Sequence, residues 1–376
     1  MTSCVSPGDW GTAAVAVLFK TGDPLDWTNY RLISLLSIIS KLFEAILNRR
    51  LTNMLNVHDL LHSCQIGCRG PGYRCQEHSF VLSETIKFMA RRRKKTFCAF
   101  LDVRKAYPTV LRVGLMEKLH QKISSAPGGN LEFRSHFWSV IDNLYECCAS
   151  KIVIQDVASE EYNVKHGLRE GSCLSPTLYA IFLDAIVDRI IDCKGVSIGN
   201  LKIKIMLYVD DIVLLSESPE DLQCMLNCCQ EYADDHSFQF SFQKSQVVVF
   251  GDDVDYPHEW TFMEKTMTQS PYYKYLGMIF RRSLGSFGSV LPGAADRRKY
   301  VGMKFIDDSP LSRQIRSDGV LPPECNKCCV CKKSTTLDDY DQTALEDVVL
   351  CDHCDAETHL RCSELSSIPE GEFFLP

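Results

Sequence analysis

Two adjacent aspartates, Asp210 and Asp211, interrupt an apolar stretch that resumes at once as Ile212-Val213-Leu214-Leu215. Upstream, Leu201 to Met206 alternates aliphatic side chains with Lys202 and Lys204. Apolar residues on both sides of so short a charged interruption predict a hairpin of two strands with the acids in its tight turn. Such a turn projects side chains out of the sheet while the strands hold the backbone still. Neighbouring carboxylates beside a buried element repel each other and lose hydration unless a cation lies between them, and two Mg²⁺ ions meet that need. A third candidate acid, Asp102, lies in Phe100-Leu101-Asp102-Val103. If the three acids met, such a set would suit phosphoryl transfer.

The surrounding elements predict an α+β unit. Leu35, Ile38, Ile39, Leu42, Phe43, Ile46, Leu47 and Leu51 recur at helical spacing and predict a helix whose apolar side packs into the core. Phe97 to Val103 reads as a strand, and Val247 to Phe250 as a short buried one. Ser175-Pro176 predicts an N-cap and first-turn proline for a helix with Leu178, Ile181, Phe182, Ala185 and Ile186 on its apolar side. Ser218-Pro219-Glu220-Asp221 opens another, with Leu222, Met225, Leu226 and Cys229 inward. The order strand, helix, acidic hairpin, helix, strand is that of a small sheet covered by helices.

The 376 residues allow two or three domains, and 45% hydrophobic residues supply an ordinary core. Thr12 to Phe19 is too short to span a bilayer and follows no basic segment, so no membrane association is expected. Without an export signal, the 19 cysteines read as buried thiols and metal ligands, in a nucleus or otherwise a cytoplasm. The net charge of -7 conceals segregation: residues 20–105 carry 15 Lys/Arg against 7 Asp/Glu, and residues 324–376 carry 4 against 12. A basic N-terminal part suits nucleic-acid phosphates, with salt-sensitive binding.

Several words in this chain follow one another in a known order. Lys20-Thr21-Gly22-Asp23, Asn29-Tyr30-Arg31-Leu32-Ile33-Ser34-Leu35-Leu36 and Gln65-Ile66-Gly67-Cys68-Arg69 come first. Phe100 to Val110, Gly167 to Pro176, Tyr208-Val209-Asp210-Asp211, Phe242-Gln243-Lys244 and Tyr273-Lys274-Tyr275-Leu276-Gly277 follow. From about Val17 to Ile279 the chain resembles the reverse transcriptase domain of non-LTR (LINE-like) retrotransposons, a right-hand polymerase of fingers and palm. The resemblance implies a flank at 1–16, a fingers-rich part at 17–99, a palm-rich part at 100–280 and a linker or degenerate thumb at 281–320.

It also implies an RNA-directed DNA polymerase that takes an RNA template, a DNA primer and dNTPs. Asp102, Asp210 and Asp211 would hold two Mg²⁺ ions, and Tyr107 would be the aromatic gate that crowds a ribose 2′-hydroxyl. Lys20, Arg31 and Arg69 are candidate contacts to triphosphate or template, as is Arg169. Gly167 and Gly171 would permit close approach of primer, template or nucleotide, and Lys244 would assist pyrophosphate departure. Glu170 stands where the family has a glutamine; an ionised carboxylate cannot donate a hydrogen bond and repels a triphosphate, so lower turnover is expected. Pro108 replaces an aspartate and removes a backbone N–H. Leu32 and Cys68 replace a proline and a phenylalanine. The other functional class is a catalytically inactive, retroelement-derived protein that binds nucleic acid or chromatin. Oligomeric state is not legible.

The tail, 321–376, has its own pattern. Cys328-x₂-Cys331, Cys351-x₂-Cys354 and His359-x₂-Cys362 offer five thiols and one imidazole at Zn²⁺-ligand spacings. With Val348 to Asp355 and Ile368 to Phe374, this small module resembles a PHD-type zinc finger, incomplete at its C-terminus. That resemblance implies one full site from Cys328, Cys331, His359 and Cys362, a second site with only Cys351 and Cys354, and a basic histone tail as partner.

Overall fold

The computed structural model describes residues 8–70, 73–128, 131–154, 157–251 and 255–282, with the short strand segments 291–292, 348–350 and 357–359. Near the N-terminus, β1 (Thr12–Phe19) and β2 (Tyr30–Leu35) form an antiparallel pair, followed by helices α1 (Ile38–Val57) and α2 (Cys75–Arg91). Strand β3 (Thr96–Leu101) leads to α3 (Arg112–Ser125), α4 (Leu131–Glu146) and β4 (Ala149–Ile154), which runs parallel to β1. Thr12 to Phe19 is therefore a sheet strand, and it begins inside the expected flank. Among the described residues no helix is long and apolar enough to cross a membrane.

The second sheet holds the acids. Helix α5 (Ser175–Asp184) precedes the hairpin of β5 (Ile205–Tyr208) and β6 (Asp211–Ser216); α6 (Pro219–Asp235) and β7 (Gln246–Phe250) follow. The order is β7-β3-β6-β5, antiparallel throughout. Both faces are buried, so its strands read as continuous apolar runs rather than alternating ones. Period two still sorts the side chains. Phe97, Ala99, Ile212, Leu214, Val247 and Val249 face the core built with α3, α5 and α6, while Cys98, Phe100, Val213, Leu215, Val248 and Phe250 face α2. The second core also takes Tyr275, Met278 and Phe280, from the hairpin of β8 (Tyr272–Tyr275) and β9 (Met278–Arg281).

Four local expectations change. The alternating stretch from Leu201 to Met206 splits: Leu201–Ile203 pairs with Val196–Ile198, and only Ile205 onward joins the acidic hairpin. Ser175 is not a cap; α5 starts after Leu174 without a side-chain cap, and Ser175 Oγ donates to the Arg169 carbonyl at 2.8 Å. Ser218 does cap α6, accepting from Asp221 N at 3.1 Å. Helix α1 forms, with Leu47 and Leu51 buried and Phe43 packed against the core as expected, but Leu35 belongs to β2, Ile38, Ile39, Leu42 and Ile46 are exposed, and Ser40 and Glu44 are buried instead. The Glu44 carboxylate is held inside by Arg169, Ser172 and the Cys173 amide, on the same face as Leu47, Leu51 and Leu55. A fingers–palm division at 99/100 would also cut β3, which starts at Thr96.

Cys328, Cys331, Cys351, Cys354 and Cys362 lie outside the described residues, as does 293–347. His359 ends a strand, Glu357–His359, paired with Val348–Leu350.

Candidate active site

The register of the second sheet assembles three carboxylates. Leu101 pairs with Ile212, so continuing that antiparallel register sets Asp102 opposite Asp211. Tyr208 pairs with Asp211 around the turn Val209-Asp210, where Val209 adopts φ +59°. A β-branched residue in the left-handed region needs outside support. Gln65 supplies it: its Oε1 accepts from Val209 N at 3.2 Å and from Gly67 N at 3.0 Å. Ile66 N donates to the Leu207 carbonyl at 3.1 Å and Leu207 N to the Cys64 carbonyl at 2.8 Å, so this segment extends the sheet beside β5.

Burial, followed by the Asp210 and Asp102 charges, pushes the Asp211 carboxyl up to about 6. Burial also holds Asp210 above the usual carboxylate range. Lys244 Nζ lies 3.2 Å from Asp102 Oδ2 but out of hydrogen-bond alignment, so this buried oxygen has no hydrogen-bond partner. Asp102 is otherwise anchored by its backbone: its N–H donates to Ser245 Oγ at 3.2 Å, and its carbonyl accepts from Ser241 N at 2.7 Å. Crowded, partly desolvated hard oxygen donors with one orphaned lone-pair site fit a divalent cation such as Mg²⁺.

Around the acids, Tyr107 packs on Tyr179 at 5.4 Å between ring centroids, and burial, then the Asp210 charge, raises its phenol above the ordinary value. Arg31, 55% exposed, places Nε 3.5 Å from Glu170 Oε2. Burial lifts the Glu170 carboxyl, while Arg31 and then Lys20 pull it back. The carboxylate expected to repel a triphosphate is thus paired. Lys20 and Arg31 remain at the surface facing this region; Lys244 faces Asp102.

Other expected contacts point elsewhere. Arg169 is 4% exposed: Nη2 bonds Glu44 Oε1 at 2.7 Å and Nη1 reaches the Trp10 carbonyl at 3.3 Å, so it braces the interior rather than a phosphate. Arg69 is buried as well, with Nε on Asn56 Oδ1 at 3.0 Å and its guanidinium 4.4 Å over Tyr73. It ties the Gln65–Arg69 segment to α1. Gly171, at φ +111°, leaves room for the Ser34 carbonyl, which a Cβ would meet at 2.5 Å, and Gly167 does the same for Pro108. Their missing side chains admit protein backbone, not substrate. Residue reasoning missed Gln65 and Glu44 as supports, and Tyr273, which stacks on Phe100 at 4.2 Å and is pushed up to about 12 by burial, then by Asp102 and Asp211. Gln65 and Tyr273 were visible only as members of their motifs; a lone Glu44 on a helix carried no signal.

The chain is 25% identical over 305 residues to the Retrovirus-related Pol polyprotein from type-1 retrotransposable element R2 of Nasonia vitripennis, covering 80% of this chain and 27% of that protein. It is 25% identical over 280 residues to the RNA-directed DNA polymerase from mobile element jockey of Drosophila funebris, covering 73% and 29%. The chain thus spans less than a third of the length of these relatives. Among solved structures, apo telomerase from Candida tropicalis, truncated from its C-terminal domain, shares the fold at a TM-score of 0.52 and 10% identity, over 74% of this chain and 54% of that one. Residues 20–280 match the family described as Reverse transcriptase (RNA-dependent DNA polymerase), and with most of its length inside that match, the chain belongs to this family.

Proposed function

We propose that this chain extends a DNA primer with dNTPs under the direction of an RNA template. The observation that carries the reading is the convergence of Asp102, Asp210 and Asp211 on adjoining strand ends, with Asp102 Oδ2 near Lys244 but without a hydrogen bond. These three carboxylates would hold the Mg²⁺ ions, Asp102 and Asp210 as the principal ligands. When magnesium is bound there, the primer 3′-hydroxyl becomes more acidic and the charge of the departing pyrophosphate is offset. Lys20 and Arg31 attract and orient the triphosphate, with Arg31 exchanging Glu170 for phosphate. The Tyr107 ring, fixed by Tyr179, excludes a ribose 2′-hydroxyl by bulk. The preference for RNA as template draws on the relatives' names.

Primer extension on an RNA template with dNTPs and Mg²⁺, compared with Asp210→Ala, tests this reading. Extension that disappears in the variant supports it. A folded wild type that binds primer–template without extending it rejects it in favour of a binding protein with an inactive palm. Glu170→Gln in parallel should raise extension; no gain would mean that the Arg31 pairing already neutralises the carboxylate.

For 321–376, the Cys/His spacings support a zinc-holding acidic module of the PHD type that takes a basic peptide such as a histone tail in the nucleus. Serine replacement of Cys328 and Cys331 should release one zinc equivalent from the full chain, and unchanged zinc content rejects the assignment.

A further inference from the structure

Three thiols outside the polymerase site converge on one point. Cys193, in the turn before the Val196–Ile198 strand, places Sγ 3.0 Å from Cys224 Sγ and 3.9 Å from Cys228 Sγ, and all three sulfurs lie within 4.8 Å of one another. Cys224 and Cys228 stand four residues apart on α6, hence on one helix face. Their neighbour Cys229 points the other way and is fully buried in the core. The cluster sits at the margin of the core: Cys193 is buried in it, Cys228 packs half-buried against it, and Cys224 faces outward. Cys224 is exposed, and with Cys228, Glu231 and His258 it lines a surface cleft.

Zn²⁺ binds thiolates at about 2.3 Å in tetrahedral geometry, which sets sulfurs about 3.8 Å apart. The observed separations of 3.0 and 3.9 Å bracket that edge. The three thiols share S–H···S contacts, and a cation that displaces their protons can be held by all three sulfurs at once. We propose that Cys193, Cys224 and Cys228 form a three-thiolate site for a thiophilic d¹⁰ ion, Zn²⁺, with the fourth position open to the cleft and taken by water. Binding forms three Zn–S bonds and releases the three thiol protons to solvent. The ion ties the turn around Cys193 to α6, staple-like, behind the sheet that carries the acids. This site is distinct from the cysteines of 321–376, and the test must separate the two.

Zinc content of the full reduced chain is measured after desalting, for wild type, Cys224→Ser, Cys228→Ser and, as a control at an exposed thiol elsewhere, Cys147→Ser. Each of the first two loses one equivalent relative to wild type, and the control loses none. In wild type stripped of metal by chelator and desalted, added Zn²⁺ slows iodoacetamide alkylation of Cys224 and Cys228, read peptide by peptide, by about tenfold or more and leaves Cys147 unaffected. Since Cys224 is exposed, Cys224→Ser keeps the fold, checked by its melting temperature in chelator. Wild-type zinc content in both serine variants, or alkylation of Cys224 and Cys228 that zinc does not slow, overturns the site. So does a Cys193–Cys224 disulfide recovered from protein alkylated before lysis.

Discussion

Replacing Gly67 by alanine tests whether the Gln65–Arg69 segment sets the position of the acidic turn. A Cβ at residue 67 would lie 2.6 Å from Val209 Cγ2 and 3.0 Å from the Tyr208 carbonyl carbon, and closer still to the Val209 amide nitrogen. Ordinary carbon contacts begin near 3.5 Å, so one of the two backbones must withdraw by roughly 1 Å. Neither is free to do so. Val209 already sits at φ +59°, and its amide is held by Gln65 at 3.2 Å. The Gln65 strand is itself bonded to Leu207 on both sides. A shift of about 1 Å in groups that orient reactants lowers a rate by about 10²-fold. Overpacking on this scale costs about 1–3 kcal/mol. Single-turnover primer extension and urea unfolding measure the two effects separately. A Gly67→Ala protein that extends primer at the wild-type rate and unfolds at the wild-type midpoint would refute the reasoning.

Arg169→Ala strands the buried Glu44 carboxylate and should lower stability by about 3–5 kcal/mol while leaving the salt dependence of template binding unchanged; a loss under about 1 kcal/mol in denaturant would contradict the bracing role. Tyr107→Ala should raise ribonucleotide incorporation relative to deoxyribonucleotide, and an unchanged selectivity ratio would remove the ring from the gate. Burial holds the His78 imidazole down to about 3, so it stays neutral in the fold while an unfolded chain takes a proton below about pH 6.5. The folded state then binds fewer protons, and this contribution is complete above pH 6.5 and lost as pH falls toward 3, at up to about 1.4 kcal/mol per pH unit. His78→Gln should flatten the acid limb of the unfolding midpoint between pH 6.5 and 4; a profile parallel to wild type would argue against it.

The parts legible beforehand were those governed by local chemistry. Asp210 and Asp211 between apolar runs specified a hairpin turn, and Ser218-Pro219 specified the start of α6, because turns and caps are settled within a few residues. Asp102 was legible through its apolar word and through resemblance. Cations were the least legible. Lys20, Arg31, Arg69 and Arg169 carry the same charge and sit in motifs of the same family, yet two face the site and two are buried in ion pairs or amide bonds. Nothing in a single residue type separates them, since burial depends on what arrives from elsewhere: Glu44 for Arg169, Asn56 and Tyr73 for Arg69.

The same distinction holds for α1. Its apolar spacing established a helix with Leu47 and Leu51 inward, because periodicity is a property of the chain itself, but the burial of Glu44 depended on Arg169 and Ser172, partners over 120 residues away. By itself the sequence determined that strands, helices and an acidic turn of a reverse transcriptase would form, and in what order. Only the tertiary structure decided the β7-β3-β6-β5 register that sets Asp102 opposite Asp211, the Gln65 bond that holds Val209 in place, and the convergence of Cys193 with Cys224 and Cys228. These are contacts between segments distant in the chain, and their geometry comes from packing rather than from local preference.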